Sequence, residues 1–418
     1  MSSEILIVNA QVWDGASERR FAGHVRVVGN RIVQVARGER PPAGNARVID
    51  AAGMTLMPGL VEGHCHLSFV NVATNAELGE IAPEEHTLRT AHNARVLLDH
   101  GFTSAFSAAS AKPRLDVAVR DAINAGLIPG PRLRAAGPEI TVSGGLGDER
   151  RLHLYRESFG LIGDGPVAIR QICRTLVREG VDTLKINISG DEFVANARAE
   201  TTPLDDDELA EVVKVARRFG KMTAAHARSS ASVMMAVKHG IDCIYHCDFA
   251  DEAALDALES ARDRVFVGPA FGLVYNTVHR GEAVGMPRAV AEAMHLPRKF
   301  EACVATYQAL RKRGLRVVVG GDYGFTVTPF GTNAQDIELF VRFFGYAPHE
   351  ALHCATGVGA QLMGLGDELG AVREGFLADL LLVRGDVLAD VALLQDTGRL
   401  AMIMKDGALH KLQPQTMT

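Results

Sequence analysis

Two histidines that are two residues apart, His64 and His66, close an apolar segment over residues 57–66. Side chains of a β-strand alternate between its two faces, so both imidazoles would point one way and Cys65 the other. Imidazole nitrogens at the end of a rigid strand can bind a divalent metal ion. The pair alone is a weak indication, but further candidate ligands follow, each in or just after another strand-like segment. These candidates are Lys185, His226, His246 and Asp322.

The elements that must position these residues alternate in type along the chain. Eight strand-like segments are separated mostly by helical patterns, and this alternation is typical of a (β/α)8 TIM barrel. The predicted strands lie at 60–66, 102–106, 132–136, 183–188, 222–226, 243–246, 265–269 and 316–320. The clearest helical patterns lie at 84–99, 115–125, 205–219, 232–239, 252–261 and 300–313.

The two ends of the chain have a β-rich pattern instead. Residues 1–57 contain short strands and tight-turn signals, and residues 367–418 return to this pattern. Because the termini of a domain often lie close together, we expect both ends to form one small β-sandwich beside a barrel over residues 58–366. The predicted fold class is therefore α/β.

Composition limits the partners and the compartment of this chain. Of its 418 residues, 47% are hydrophobic and 22% charged, as in an ordinary globular protein. The formal net charge is -6 and no basic run stands out, so neither nucleic acid nor a membrane surface is an expected partner. No secretory pattern opens the sequence, and no apolar stretch reaches the roughly 20 residues that span a bilayer. Six cysteines lie among apolar residues, and we expect free thiols in the cytoplasm.

Barrel enzymes carry their functional groups at the C-terminal ends of the strands. His64 and His66 end the first predicted strand, Lys185 lies in the fourth, His226 and His246 end the fifth and sixth, and Asp322 follows the eighth. Each residue alone has an ordinary explanation, such as a turn aspartate or a lysine whose amine reaches solvent. Together they favour one metal site and an enzyme.

With these residues in view, the chain resembles the amidohydrolase superfamily of metal-dependent hydrolases over essentially its whole length. The matching segments are 57–66, 184–186, 225–227, 245–246, 321–322 and 369–380. Within the superfamily the chain most resembles the prolidase-like and arginine-dipeptidase-like branch, which also contains an ochratoxin-hydrolysing amidase.

The resemblance implies two divalent metal ions, with zinc as the first expectation and manganese, cobalt or nickel as alternatives. It assigns His64, His66 and Asp322 to one ion, His226 and His246 to the other, and a carboxylated Lys185 to the bridge between them. The bridge has a physical logic, because an ammonium between two dications is repelled. The neutral amine can instead add carbon dioxide and become an anionic carbamate.

A reaction follows from this arrangement. A hydroxide held between the metals would attack a carbonyl group, and Asp322 would act first as general base and then as general acid. The expected reaction is hydrolysis of an amide-type carbon–nitrogen bond in a small molecule. An N-acyl amino acid, a dipeptide-like compound and an aryl amide are the expected substrate classes.

The loops around the site depart from the usual pattern of this branch. In the loop over 143–147, Leu146 stands where a histidine usually helps to hold the substrate carbonyl. Arg228, two residues after His226, is predicted to clamp a substrate carboxylate, and the alternative is an arginine paired with a neighbouring acid. His153 and Tyr155 are further candidates for the pocket. A substrate less like a peptide is therefore expected.

The region over 271–297 is rich in apolar residues and includes Tyr275. It follows the seventh predicted strand, so we expect a loop that forms a lid or pocket wall for a hydrophobic or aromatic substrate. The alternative is a contact between subunits. An apolar helix over 336–344 would also suit such a contact, and a homo-oligomer is expected.

Two other functions stay open at this stage. One is a mononuclear deaminase of the same superfamily, or a hydrolase of a cyclic amide, carbamate or urea. Mononuclear members do not need a lysine on the fourth strand, so Lys185 argues against them. The other is a catalytically silent scaffold, but such proteins typically lose metal ligands, and all six candidates are present here.

Overall fold

The protein is described by a computed structural model that covers residues 4–194 and 196–413. Its helices and strands form a mixed α/β fold with three sheets among these residues.

The strands are β1 (Glu4–Val12), β2 (Phe21–Val28), β3 (Arg31–Arg37), β4 (Arg47–Asp50), β5 (Thr55–Pro58), β6 (Leu60–Cys65), β7 (Phe102–Ser107), β8 (Arg132–Arg134), β9 (Ile140–Thr141), β10 (Leu161–Ile162), β11 (Thr183–Asn187), β12 (Met222–Ser229), β13 (Cys243–Phe249), β14 (Phe266–Gly268), β15 (Arg316–Val317), β16 (Leu380–Val383), β17 (Leu400–Lys405) and β18 (Ala408–Leu412). The helices are α1 (Asn75–Glu80), α2 (Pro83–Asp99), α3 (Leu115–Asn124), α4 (Gly165–Glu179), α5 (Asp206–Arg218), α6 (Ser230–His239), α7 (Glu252–Ser260), α8 (Phe271–Arg280), α9 (Arg288–Ala293), α10 (Leu296–Lys312), α11 (Gln335–Phe344), α12 (Pro348–His353) and α13 (Gly359–Leu362). Short 3-10 helices cover Gly281–Val284, Val391–Gln395 and Thr397–Arg399, and a π-helical turn covers Cys354–Val358.

Two sheets of parallel strands carry the middle of the chain. One has the order β6-β7-β8, and the other has the order β10-β9-β11-β12-β13-β14-β15. Two links join these sheets. The Gly63 N–H donates to the Val319 carbonyl oxygen at 2.8 Å, and a parallel bridge joins Ala136 to Thr183. This arrangement is consistent with a barrel.

Most strands of the parallel sheets are buried on both faces, as expected where helices cover a sheet. In β11, for example, every residue is buried, including Lys185 and Asn187 between the aliphatic Leu184 and Ile186. A polar side chain in such a strand points into the protein. The strand ends are therefore the places where buried polar groups collect.

A third sheet joins the two ends of the chain. It contains eight strands in the order β18-β17-β16-β5-β1-β2-β3, with β4 paired to β1. Strand β16, near the C-terminal end, pairs antiparallel with β5, and Leu381 lies opposite Met57. The ends of the chain therefore meet, as predicted, and they do so next to the strand that leads directly into β6 and its histidines.

Helix α11 lies inside the molecule. The Phe344 ring packs 4.7 Å from the Phe271 ring of α8 and 5.4 Å from the Tyr307 ring of α10. The helix over 336–344 was expected to suit a contact between subunits, but helices of the same chain already cover its apolar face. In the described residues no helix is both long enough and apolar enough to cross a bilayer.

Candidate metal centre and active site

The six predicted metal ligands come together in one cavity of about 440 Å³. Strand β6 ends at the histidine pair, β11, β12 and β13 contribute the next three residues, and the turn after β15 contributes the aspartate. The predicted ligands that line this cavity are His64, His66, Lys185, His226, His246 and Asp322. His64, His66 and Asp322 lie at the end of a strand or just after it. Lys185, His226 and His246 lie within β11, β12 and β13, and the last two of these strands continue beyond the ends predicted from the sequence.

The distances between these side chains suit coordination of metal ions. His64, His246 and Asp322 each offer one atom that lies within 4.8 Å of the other two. The Asp322 Oδ1 atom lies 3.1 Å from His66 Nε2 and 3.7 Å from His64 Nε2. The ring centres of His226 and His246 are 4.3 Å apart. The aspartate thus contacts the first histidine pair, and the other two histidines lie beside each other.

Backbone carbonyl groups orient two of the imidazoles. His66 Nδ1 lies 3.0 Å from the Ala109 carbonyl oxygen, and His226 Nε2 lies 2.9 Å from that of Gly190. A carbonyl oxygen only accepts, so these nitrogens carry the protons and donate. The opposite nitrogens, His66 Nε2 and His226 Nδ1, are left with a lone pair, which is the form that binds a metal.

The remaining two histidines have buried nitrogens without partners. Three ring nitrogens have no hydrogen-bond partner within the described part of the chain. They are both ring nitrogens of His64 and the Nδ1 atom of His246. Buried polar atoms are nearly always satisfied in native proteins. The orphaned nitrogens, together with an imidazole and carboxylate donor set, fit a site for divalent metal ions.

The charge states of these groups agree with this interpretation. Burial lowers the pKa of His64, His226 and His246 well below its usual range, so these imidazoles are neutral, as metal ligands must be. Burial alone would raise the pKa of Asp322, but the positive charge of Lys185 and of any protonated neighbouring imidazole outweighs burial and holds that pKa below its usual range. Asp322 is therefore an ionised acceptor at neutral pH.

The backbone is strained where two of these ligands lie. His246 and Asp322 have φ angles of 78° and 61°, in the left-handed region that non-glycine residues seldom adopt. Before the aspartate, Gly320 passes so close to β6 that a Cβ atom there would lie 2.4 Å from the His64 backbone nitrogen. Glycine is needed at this position, and the close approach brings Asp322 beside the histidine pair.

Lys185 is fully buried, with 1% of its surface exposed. Its Nζ atom lies 3.3 Å from Glu139 Oε1, and Glu139 also accepts a hydrogen bond of 2.5 Å from Asn187 Nδ2. Sequence reasoning missed Glu139, which lines the cavity. It is a lone acid before the two-residue strand β9, and no motif in the sequence marked it.

Further groups support His64 from behind. The backbone N–H of His64 donates to Glu62 Oε1 at 3.2 Å, and Asn333 Nδ2 donates to Glu62 Oε2 at 2.9 Å. Burial raises the pKa of Glu62 to about 7. The Tyr245 ring stacks 3.8 Å from the imidazole, and its hydroxyl donates to the Gly63 carbonyl oxygen at 2.7 Å. The sequence showed these residues beside the ligands but did not reveal their roles.

The cavity walls are mainly apolar and aromatic. Leu146 lines the cavity, as predicted from its place in the loop over 143–147. The other apolar side chains of the wall are Phe69, Ala73, Ala76, Phe159, Phe193, Leu273, Val284, Met286, Phe325 and Val327. Cavities of this size and composition typically bind small organic molecules.

The region over 271–297 contributes to this wall, but it is not a loop. It forms α8, a 3-10 turn and α9, and it brings Leu273, Thr277 and Met286 to the cavity. Tyr275 does not line the cavity. Its half-buried ring packs 4.6 Å from that of His279 and 5.6 Å from that of Phe343, because it lies on the opposite side of α8 from the wall.

Arg228 was expected at the mouth of the site, and the structure places it behind the wall instead. It is 1% exposed and does not line the cavity. Its Nε atom donates to Asp191 Oδ2 at 2.7 Å, and its Nη1 atom donates to Asp248. Burial would lower the pKa of Arg228, but these two carboxylates outweigh it and raise that pKa. The alternative interpretation, an arginine paired with neighbouring acids, is the one that the structure shows.

His153 and Tyr155 are not brought to the cavity either. Both are exposed, and Tyr155 has 95% of its surface accessible. They lie on an irregular segment closed by a short bridge between Arg151 and Leu154. That segment projects from the protein, so its polar and aromatic side chains point to solvent.

A model of the amidohydrolase family matches residues 55–409. The chain belongs to the amidohydrolase family. It is accordingly a hydrolytic enzyme that acts on carbon–nitrogen bonds. Enzymes of this family generally use divalent metals, in agreement with the His and Asp cluster of this amidohydrolase.

Known proteins resemble this amidohydrolase over most of its length. The ochratoxinase of Aspergillus niger is 25% identical over 375 residues, which cover 85% of this chain and 75% of the relative. The imidazolonepropionase of Ralstonia nicotianae is 27% identical, and the match covers 94% of both chains. The crystal structure of a prolidase complexed with N-methylphosphonate-L-proline has a TM-score of 0.87 at 25% identity, covering 98% of this chain and 100% of that one.

Proposed function

We propose that this amidohydrolase is a binuclear metal-dependent enzyme that cleaves an amide-type bond in an N-acyl amino acid, a dipeptide-like compound or an aryl amide. The observation that carries the proposal is the group of buried imidazole nitrogens that find no hydrogen-bond partner among the described residues. They face a buried lysine and an ionised aspartate in one cavity. Such groups are costly to bury unless a ligand binds them.

The proposal includes the frame that holds the site. We propose that the two parallel sheets close into one (β/α)8 barrel over residues 58–366, and that the sheet from both chain ends is a small β-sandwich beside it. The links from Gly63 to Val319 and from Ala136 to Thr183 support closure, since the first joins β6 to the segment after β15 and the second joins the segment after β8 to β11. In such a barrel the ligands share the C-terminal face.

The residues present fit a pair of divalent ions, with zinc as the first candidate and manganese, cobalt or nickel as alternatives. Ions of this kind, when bound, activate a water molecule and polarise a carbonyl oxygen. The residues that would hold them are His64, His66 and Asp322 for one ion, His226 and His246 for the other, and a carboxylated Lys185 shared by both.

The chain's own groups prepare the reaction. Asp322 is ionised, so its carboxylate can take a proton during attack and later give it to the leaving nitrogen. Glu139, which lies 3.3 Å from the Lys185 nitrogen, can accept the N–H that a carboxylated lysine retains. The apolar walls hold the substrate's organic part and exclude bulk water, which strengthens electrostatic effects inside the cavity.

A second candidate is a mononuclear hydrolase of a cyclic amide or a deaminase. One specific observation favours it, because His64, His246 and Asp322 form a three-donor cluster that suits a single ion. The imidazolonepropionase relative points the same way. The binuclear proposal and this candidate differ in whether Lys185 is needed to hold metal.

Activity of the zinc-loaded protein on a panel of aryl amides and N-acyl amino acids tests the proposal. Asp322→Asn removes the proton acceptor, so we expect kcat to fall by about 10²–10⁴. The exposed Asp367 provides a matched control, and Asp367→Asn should keep wild-type kcat. Removal of metal by a chelator should abolish hydrolysis, and zinc should restore it. Hydrolysis that survives both chelation and Asp322→Asn would contradict the proposal.

A further inference from the structure

Charge is distributed unevenly around the cavity. Among the described residues that line it, Lys185 is the only cationic side chain, and it lies within the metal centre. Four acidic side chains line the same cavity, namely Glu139, Glu149, Asp191 and Asp322. Beyond the metal centre, the wall therefore offers a substrate carboxylate no cation with which to pair.

The two buried cations behind the wall are already neutralised. Arg228 is paired with Asp191 and Asp248, and Lys299 Nζ lies 2.9 Å from Glu192 and 3.7 Å from Asp191. Turning either cation toward a substrate would leave buried carboxylates unpaired, which is strongly unfavourable. Neither group is available as a clamp for an anion.

In contrast to these paired cations behind the wall, Glu149 is an acid that lines the cavity itself. It is half-buried, and its backbone N–H is fixed by a hydrogen bond of 2.8 Å to Ser158 Oγ. Within the described chain its carboxylate accepts no hydrogen bond. Burial raises the pKa of Glu149, whereas Arg151 and Arg156 lower it by less. These two arginines do not line the cavity, and Arg156 lies 3.7 Å from Glu80.

Aromatic rings surround the space beside the metal ligands. The Phe69 ring stacks 4.2 Å from the His66 imidazole and contacts the Phe159 and Phe325 rings edge-on, at 5.7 and 5.4 Å. All three phenylalanines line the cavity. Such an edge-to-face group favours an aromatic substituent of the substrate.

We propose that this site selects amides whose aromatic part carries a hydrogen-bond donor, an amine or a primary amide, and discriminates against those that carry a free carboxylate there, with Glu149 as the discriminating residue. The inference rests on the proposed amide hydrolysis and narrows it, since N-acyl amino acids and dipeptide-like compounds carry a free carboxylate beside the scissile nitrogen and would be the poorer substrates. An unpaired carboxylate in a partly dry wall repels a second carboxylate and attracts a donor. The acidic lining and the engaged Arg228 and Lys299 leave no compensating cation for an anionic substituent.

Three matched substrates test this inference with the zinc-loaded enzyme. Each joins a benzoyl group to phenethylamine, and they differ only in the substituent next to the scissile nitrogen, which is a carboxylate, a carboxamide or an aminomethyl group. Benzoate release gives kcat/KM for each. We expect the carboxylate to be at least about tenfold poorer than the other two. Glu149→Gln should reduce this gap to about threefold or less, mostly by improving the carboxylate.

Glu157→Gln is the matched control, because it removes the same charge from an exposed position two residues beyond Tyr155 and outside the cavity. It should leave the gap unchanged. Equal or better hydrolysis of the carboxylate by the wild type would overturn the inference, and so would a gap that Glu157→Gln closes as well as Glu149→Gln. In either case the proposed amide hydrolysis would stand.

If none of the three compounds is hydrolysed, measurements of binding affinity test the inference instead. Calorimetric titration of the zinc-loaded chain with phenylalanine, phenylalaninamide and the corresponding diamine then reports the same preference. Tighter binding of the amide and diamine, weakened by Glu149→Gln, would support the inference while the proposed hydrolysis fails. Preferential binding of phenylalanine, or no binding of any of the three, would overturn it.

Discussion

At the scale of single residues, each histidine of the site has a different surrounding, yet all are prepared for the same chemistry. Carbonyl groups of Ala109 and Gly190 fix the tautomers of His66 and His226. The His64 ring is held between Tyr245 and its neighbouring ligands. Ligands held by such outer contacts need little rearrangement when a metal binds.

Sequence spacing was enough to predict six residues that the structure brings together in one cavity, but it did not show how the side chains outside this set point. His64 and His66 share a face because a strand alternates its side chains. Arg228 follows His226 at the same spacing, yet its guanidinium lies between Asp191 and Asp248. The two acids come from distant parts of the chain, so the ion cluster depends on packing that no local pattern encodes.

The buried imidazoles predict how stability of the metal-free protein depends on pH. Burial lowers the pKa of His64, His226 and His246 in the folded chain, whereas an unfolded imidazole has a pKa of about 6.5. Below that pH the unfolded chain binds more protons, so stability is complete above about pH 6.5 and is lost as the pH falls further. Each histidine should contribute a slope of about 1.4 kcal/mol per pH unit.

Urea unfolding between about pH 7.5 and pH 5.5 measures this slope. His246→Asn should make it shallower by about 1.4 kcal/mol per pH unit. The exposed His92 serves as control, and His92→Asn should change the pH dependence of the free energy of unfolding less than His246→Asn does. A free energy of unfolding that stays constant over this range would contradict the neutral state of the buried imidazoles.

At the scale of elements, the sequence predicted eight of the ten strands in the two parallel sheets, because each of these eight is a short apolar run between turn signals. It missed α4, although Asp164 before the helix, a proline in its first turn and Gly180 with φ 97° at its end are ordinary helix boundaries. It also missed β9 and β10, which have two residues each. Strands that short leave no periodic pattern.

The ends of β12 and β13 are held together by a buried ion cluster, which makes a prediction about stability. Arg228→Met leaves Asp248 without its cation and leaves Asp191 only the more distant Lys299, at 3.7 Å. Breaking a buried pair in this way costs roughly 3–5 kcal/mol, so we expect the free energy of unfolding to fall by about that amount. Adding Asp248→Asn should recover part of the loss.

Urea denaturation combined with steady-state kinetics separates this role from substrate binding. If Arg228 is a structural group, Arg228→Met changes stability far more than it changes the ratio of KM values for carboxylate and carboxamide substrates. If Arg228→Met keeps the stability of the wild type and raises KM only for the carboxylate substrate, then Arg228 binds the substrate carboxylate, as the sequence predicted.

At the scale of the whole molecule, the pairing of β16 with β5 ties the C-terminal part of the chain to the start of the metal site. Leu381 is fully buried opposite Met57. Leu381→Ala should therefore lower the free energy of unfolding by about 2–5 kcal/mol, since a buried leucine leaves a cavity when truncated. Leu88, which is 73% exposed, is the control, and Leu88→Ala should cost less than about 0.5 kcal/mol.

Thermal or urea unfolding of the metal-free and zinc-loaded forms measures both variants. If the terminal sheet supports the site, Leu381→Ala should also weaken zinc binding, and Leu88→Ala should not. Equal effects of the two substitutions would show that the pairing of the chain ends contributes little.

A homo-oligomer and a cytoplasmic location stay predictions. Helix α11 no longer supports a homo-oligomer, because its apolar face is covered within the chain.

The metal content per chain tests the central claim most directly. Protein produced with zinc and bicarbonate is analysed for elements beside Lys185→Ala and the matched surface variant Lys214→Ala, whose lysine pairs with Glu211 outside the site. The binuclear account predicts two ions in the wild type and in Lys214→Ala, falling to one or none in Lys185→Ala. One ion per chain in all three proteins would contradict a lysine-bridged pair and favour the mononuclear hydrolase.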